Sequence, residues 1–372
     1  MHVVLVSHYS PPHPGGIQFV VSQLWERLAS RGHSTTMVAC DTDIPTGVHR
    51  EGIKTRIGVP AVNVLEKYSI PYPIFDPISL RRTLKDVLAS ADAVHVHGML
   101  FMSSVVAARM GRRLHLPVVL TEHVGSVPFR HPLLDGAQRL AFETIGRFCC
   151  RQVDAVTVLN HRVEREVRKL VDSRTTVSKV PNGVDTEVFH PPSPEARKNL
   201  RRKWGFERFA ALFVGRFVRK KGVNLLLEAR ADDFDLILCG DELDGANVRT
   251  LGKLDQRALA EVYRAADVLV LPSEGEGFPL VVQEAMASGL PVIVTDNPEN
   301  REYLDDTVAR FVPRDPPAIR EAIQSLVREP GRRERMGVAA RHWAVEHFDW
   351  DRCVDRYVEL YSRHGNGREK RT

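Results

Sequence analysis

The chain has 372 residues, of which 43% are hydrophobic and 27% charged, a balance that fits a soluble globular protein of two domains. No apolar run reaches the roughly 18–20 residues of a membrane-spanning helix, and five scattered cysteines without metal-like spacing exclude a disulfide framework. The net charge of +5 is concentrated in residues 1–190, which hold 22 Lys+Arg against 17 Asp+Glu.

The opening MHVVLVSHYSPP has too short an apolar stretch, and no basic flank, for a signal peptide. With no Asn-x-Ser/Thr sequon, the expected setting is reducing and cytoplasmic. A basic first half attracts phosphates or the anionic inner face of a membrane, so peripheral membrane contact stands beside the plainer reading of an ordinary basic surface. Nucleic acid is not an expected partner, because the modest charge comes with no aromatic–basic interleaving.

In chain order, short apolar strands are predicted at His2–Ser7, Thr35–Ala39, Ala93–His97, Val118–Thr121, Ala155–Leu159 and Val177–Val180. Helices are predicted between them at Ile17–Arg31, Ser79–Ala89, Phe101–Arg113 and His161–Val171. Continuous apolar strands are buried on both faces, and their alternation with helices predicts a doubly wound α/β domain. A further helix, Gly136–Arg151, carries Arg139, Arg147 and Arg151. It reads as a core-packing element, or as a surface suited to a lipid-linked acceptor. The turn-rich stretch Pro181–Pro194 reads as the linker. The alternation then restarts, with strands at Ala210–Val214, Asp235–Cys239, Val268–Leu271, Val292–Thr295 and Ala309–Val312. Helices follow at Val223–Arg230, Asp255–Ala265, Leu280–Ser288, Pro317–Arg328 and Arg332–His347. Two such domains are expected to face a central cleft, with ligands beyond the carboxyl ends of the strands.

Three loops after strands carry the chemistry. In HYSPPHPGGIQ, Gly15 and Gly16 allow close backbone approach just before a helix N-terminus, which suits an anion; the plainer reading is a strand-to-helix turn. It is not the G-x-G-x-x-G pattern, so no dinucleotide cofactor is indicated. In LFVGRFVRKKGV, Gly215 ends a strand, and Arg216 and Lys221 are placed to hold phosphate oxygens, or to form a solvated basic turn. In LPSEGEGFPLVVQEAMASGLPVIVT, Glu276 and Gly277 lie in a loop, Pro279 at the first helical turn and Glu284 inside the helix. The N–H groups of Phe278, Pro279's neighbour Leu280 and Val281 are offered to a diphosphate. Glu276 suits sugar hydroxyls and Glu284 ribose hydroxyls; an unpartnered carboxylate among Val281, Val282, Ala285 and Met286 would be costly.

This last run resembles the Glu-x7-Glu motif of the retaining glycosyltransferases of family 4. PPHPGGI resembles the family's N-terminal glycine loop, VGRFVRKKG its Arg…Lys diphosphate clamp, and PNGVDTEVF its linker signature. Pro279 departs from the Gly of many members and removes one backbone donor. The resemblance covers about residues 1–350. It implies the GT-B fold: a first domain at 1–185 that takes the acceptor and a second at 186–349 that binds the donor, with a C-terminal helix at about 350–365 returning to the first. It also implies a retaining hexosyltransferase that moves a sugar from a nucleotide diphosphate sugar, uridine-linked by family frequency. The acceptor would be a sugar, lipid-linked or small-molecule hydroxyl, in glycan or glycoconjugate biosynthesis. His123 in TEHVG matches a histidine beside the donor sugar, and His97 is a weaker candidate for the same region. The implied catalytic set is His123, Glu276, Arg216 and Lys221, with no metal and no cofactor. Asp241-x-x-Asp244 has the wrong spacing for a metal motif, and Asp41-Thr42-Asp43 lies in the first half. Two rivals stand beside this reading: a sugar-nucleotide 2-epimerase, which shares the fold and substrate but lacks the linker and Glu-x7-Glu pattern, and a non-catalytic sugar-nucleotide-binding subunit, against which the intact Arg216, Lys221, Glu276 and Glu284 argue.

Overall fold

The computed structural model describes all residues except 14, 65, 67–71, 127–130, 244–247, 277 and 366–372. Gly277 and Asp244, both singled out above, therefore lie outside the described residues. The chain divides into two compact units: Met1–Pro181 with Asp351–Thr372, and Asn182–Trp350.

The first unit is built on β1 (His2–Val6), β2 (Ser34–Cys40), β3 (Gly47–Glu51), β4 (Lys54–Val59), a short antiparallel pair β5 (Ala61–Val62) and β6 (Ile74–Phe75), then β7 (Ala93–His97), β8 (Val118–Glu122), β9 (Ala155–Val158) and β10 (Thr176–Lys179). The main sheet has the order β10-β9-β8-β7-β1-β2-β4-β3. Every pairing is parallel except the β3–β4 hairpin. Val3–Val6 and all of β7 are buried, as continuous apolar strands covered on both faces must be. The hairpin has no counterpart in the predicted strands, because β3 is largely exposed and lacks an apolar run.

The second unit contains β11 (Ala210–Gly215), β12 (Asp235–Gly240), β13 (Arg249–Thr250), β14 (Val268–Leu271), β15 (Val292–Thr295) and β16 (Ala309–Val312) in a parallel sheet ordered β13-β12-β11-β14-β15-β16. In each sheet the order reverses beside the first strand: between β1 and β7, and between β11 and β14. Loops beyond the carboxyl ends at such a reversal are where open α/β sheets bind ligands.

The chain passes from the first unit to the second at the start of the expected linker, between Pro181 and Asn182. The rest of that stretch packs on the second unit: Val184 and Phe189 belong to its core, and the Val184 N–H donates to the Phe348 carbonyl at 2.7 Å. A methyl group on Gly183 would lie 2.3 Å from the buried Trp350 ring, so only glycine fits that contact. The unpredicted helix Pro194–Trp204 follows, with Ser193 accepting from the Ala196 N–H and Gly205 ending it in the left-handed region. It buries no side chain, so its sequence has no apolar period to find.

The C-terminal helix Trp350–Gly365 joins the first unit through Tyr361, which meets His95 at 2.8 Å, and through Tyr357, 3.4 Å from Thr121.

Candidate active site

In the second unit, the loops after β11 and β14 are fastened to each other. Gly222 has φ +74°, and an added Cβ would fall 2.5 Å from the Pro272 carbonyl oxygen, so the two backbones approach as only glycine allows. The Glu274 N–H donates to the Lys220 carbonyl at 2.8 Å. Arg314, just past β16, donates to the Pro272 carbonyl at 2.9 Å and the Arg219 carbonyl at 3.2 Å, and pairs with Glu274.

Between these loops Lys221 Nζ lies 3.0 Å from Glu276 Oε2, and Lys220 stands 3.9 Å from Oε1. The two side chains assigned to phosphate and sugar thus form an ion pair with each other. Both are largely shielded, while the other carboxylate oxygen, Oε1, is buried without a hydrogen bond among the described residues. A buried acceptor left unpaired is an opening for a ligand hydroxyl. Arg216 is exposed, and its side chain has no partner among the described residues. Gly215 is paired with Gly240 at the ends of β11 and β12, and a methyl on Gly240 would lie 2.0 Å from the Gly215 carbonyl. The Phe217 N–H donates to Asp241 at 2.8 Å, which engages that acidic residue in holding the loop.

The helix Leu280–Ala287 starts one residue later than Pro279's place in the first turn would require: Pro279 is its N-cap, in extended conformation, and accepts from the Val282 N–H at 3.1 Å. The leading N–H groups of Leu280 and Val281 begin the helix, where its dipole favours an anion. Phe278 is not a ligand-facing ring. It is buried and stacks on Tyr303 at a 4.5 Å centroid separation. Inside the helix Glu284 is buried, and Tyr263 donates to it at 3.0 Å. Burial pushes its carboxyl up to about 7, with the Tyr263 hydrogen bond opposing.

In the first unit, the loop after β1 leads through Gly15 to the helix Gly16–Ser30. An added Cβ on Gly15 would meet the Gln18 side-chain oxygen at 2.3 Å, whereas Gly16 faces open space. Gln18 in turn donates to His8 Nε2 at 3.2 Å, and His8 stacks on Phe101 at 3.8 Å. His13 of the same loop is spent on Asp43 at 2.7 Å, and Asp41 accepts from Thr46 and from the Ala61 N–H. His123 follows β8 and is buried, with Nε2 3.1 Å from His97 Nδ1. Burial lowers its ring pKa to about 4, so the imidazole is neutral. The loop beyond it is anchored by Glu166, which accepts from the Ser126 N–H and hydroxyl, and by Arg162, which donates to the Val124 and Ser126 carbonyls. His95 is fully satisfied by Tyr361 and Thr121 and serves the fold.

The segment covering Gly136–Arg151 packs on the core, as expected, only in its second part. Its first part, Pro132–Ala141, buries no side chain, and only from Phe142 do Gly146, Cys149 and Cys150 turn inward. All five cysteines are free and buried. Among the described residues no helix is long and apolar enough to cross a membrane.

Sequence reasoning did not find Tyr263, Arg314, Gln18 or His8. Arg314 had one usable signal, a charged residue directly after a strand. The other three read as ordinary helix or strand-end residues.

Residues 14–188 match the family described as Glycosyltransferase Family 4, and residues 196–343 match Glycosyl transferases group 1. The chain is 29% identical to the phosphatidyl-myo-inositol mannosyltransferase of Mycobacterium tuberculosis, across 97% of this chain and 96% of the relative. It is 27% identical to the D-inositol 3-phosphate glycosyltransferase of Corynebacterium jeikeium over the same shares. Similar solved structures include sucrose-phosphate synthase from Thermosynechococcus elongatus, with TM-score 0.78, 22% identity, and 97% and 98% of the two chains covered. Another is Anabaena HepE in complex with UDP-glucose, with TM-score 0.74, 17% identity, and 98% and 100% covered.

Proposed function

Because this chain belongs to the group 1, family 4 glycosyltransferases and has their GT-B fold, we propose that it transfers a glycosyl group from a nucleotide diphosphate sugar with retention of configuration and without a metal. The observation that carries the reading is the Lys221–Glu276 pair at the reversal between β11 and β14, beside the start of the Leu280–Ala287 helix. Lys221 and Arg216 oppose the charge that develops on the departing diphosphate, and the leading N–H groups of the helix add to them. Fixed cations of this kind do what a metal would otherwise do for the leaving group. Glu276 accepts from hydroxyls of the transferred sugar through its unpaired Oε1, and Glu284 accepts from the ribose. In the first unit His123 contacts the sugar, and the open side of Gly16 lets a ligand approach the backbone. We assign the proton of the attacking hydroxyl to the departing phosphate oxygen, since burial, by lowering the His123 pKa to about 4, makes its imidazole a weak proton acceptor.

The donor is expected to be uridine-linked, a choice supported by the UDP-glucose bound in the HepE structure. A thermal-shift series with UDP, GDP, ADP and their sugars tests it: a donor at a hundred times its Kd should add about 2.7 kcal/mol to stability. A clear upward shift is expected with uridine nucleotides; a shift confined to another base would reassign the donor.

The acceptor is proposed to be a hydroxyl on the headgroup of an anionic lipid. The name of the D-inositol 3-phosphate relative supports a phosphorylated inositol without the lipid, whereas that of the phosphatidyl-myo-inositol relative supports the lipid class. So does the surface of the 132–148 segment, where Leu133 (78% exposed), Leu140 (62%), Ile145 and Phe148 face solvent. Arg109 lies over the Phe148 ring at 5.6 Å, and Arg112 and Arg113 close the helix Met102–Arg113. Apolar side chains rimmed by arginine suit the interface of an anionic bilayer. Flotation with phosphatidylglycerol-containing vesicles should carry the protein upward, and a Leu133→Glu/Leu140→Glu variant should stay behind with its melting temperature unchanged. Equal flotation of both proteins, or of neither, contradicts the assignment.

A further inference from the structure

His123 is one end of a run of buried imidazoles whose hydrogen bonds have a direction. The Gln18 amide nitrogen can only donate, so His8 Nε2 accepts it at 3.2 Å. A neutral His8 must then carry its proton on Nδ1, and that N–H is buried without a partner among the described residues. His97 is fully enclosed, stacks on His95 at 4.3 Å, and faces His123 through Nδ1. Its Nε2 is also buried without a partner. Burial holds His8, His97 and His123 below their ordinary pKa, so each ring carries one proton.

Two proton arrangements fit the 3.1 Å contact between His97 and His123. If His123 donates from Nε2, His97 must carry its own proton on Nε2. Two buried N–H groups, on His8 and His97, are then both left without acceptors. If His97 donates from Nδ1, its Nε2 is a lone pair, and the unpaired atoms on His8 and His97 are one donor and one acceptor. The second arrangement leaves one orphaned donor and one orphaned acceptor in place of two orphaned donors, and a buried N–H without a partner is the rarer defect.

We infer that His97 is a positioning residue that locks His123 in its Nδ1–H tautomer, so that His123 presents a hydrogen-bond donor to the ligand. This rests on the reading above that His123 contacts the transferred sugar. With Nε2 occupied by His97, Nδ1–H is the ring's free polar group. It suits a hydroxyl or phosphoryl oxygen and cannot accept a proton from the attacking hydroxyl.

The test is a two-bond 1H–15N correlation spectrum of the full-length protein labelled with 15N-histidine, with the His123 signals assigned by their loss in His123→Asn. Wild type should show the Nδ1–H pattern for His123. His97→Asn, whose amide nitrogen takes the place of Nδ1, should keep that pattern and most of the activity. His97→Leu should move His123 toward Nε2–H and lower kcat about tenfold or more, as a wrong tautomer does elsewhere. An Nε2–H pattern in wild type, or no change in His97→Leu, overturns the inference. An Nδ1–H pattern together with full transfer by His123→Asn supports the lock and instead removes His123 from the reaction.

Discussion

Replacing Lys221 with alanine is expected to lower turnover by about 10²–10³-fold, the usual effect of deleting one preorganised group that meets developing charge. Part of any loss in that variant is structural, because Glu276 keeps a shielded carboxylate with its 3.0 Å partner removed. Arg216→Ala separates the two contributions. Arg216 is exposed and its side chain touches no described partner, so its removal should change stability by no more than about 0.5 kcal/mol. A large fall in kcat at an unchanged melting temperature therefore reports chemistry. If both variants turn over at near wild-type rates, the diphosphate clamp is misassigned.

Donor affinity is expected to rise about tenfold per pH unit below about pH 7 and to level off above it. The cause is Glu284, whose folded pKa is raised by burial from its ordinary 4.5 to about 7. The sign follows from linkage. Between pH 4.5 and 7 the folded carboxyl holds a proton that the unfolded chain has released, so the stability of the unliganded protein falls as pH rises through this window. Ribose hydroxyls that donate to Glu284 favour its ionised form, so binding the nucleotide expels that proton and is easier at high pH. From pH 5.5 to 8 this amounts to roughly 30-fold in Kd. Glu284→Gln should bind more weakly and show a flat profile across the same range. A wild-type Kd that does not change from pH 5.5 to 8 removes Glu284 from the ribose.

Much of the fold was legible because buried parallel strands announce themselves. The strand Ala93–His97 is observed with the bounds predicted from its sequence, since an apolar run ended by turn residues has few other uses. The helix Pro194–Trp204 had its caps written plainly, Ser193 and Pro194 before it and Gly205 after, yet it lacks the apolar stripe by which helices are recognised. In Pro181–Pro194 the prolines and glycine marked where the chain passes between the units, while Val184 and Phe189 were too few to signal that the rest packs on a core.

At the candidate site, residue types were readable and pairings were not. Lys221 and Glu276 are 55 positions apart, and only the adjacency of β11 and β14 brings them together. Tyr263 looks like any residue on the buried face of Gln256–Ala265 until its hydroxyl is seen on Glu284. His97 and His123 end neighbouring strands, β7 and the loop after β8, and their contact depends on that register. Local sequence carries chemistry and periodicity; long-range pairing is set by sheet order.

The most direct measurement is a proton NMR time course of the reaction between the donor and an anionic-lipid acceptor in excess chelator. The account predicts transfer at an undiminished rate, with the first-formed product carrying the same anomeric configuration as the donor. An inverted product, or a reaction that proceeds only when a divalent metal is restored, would contradict it.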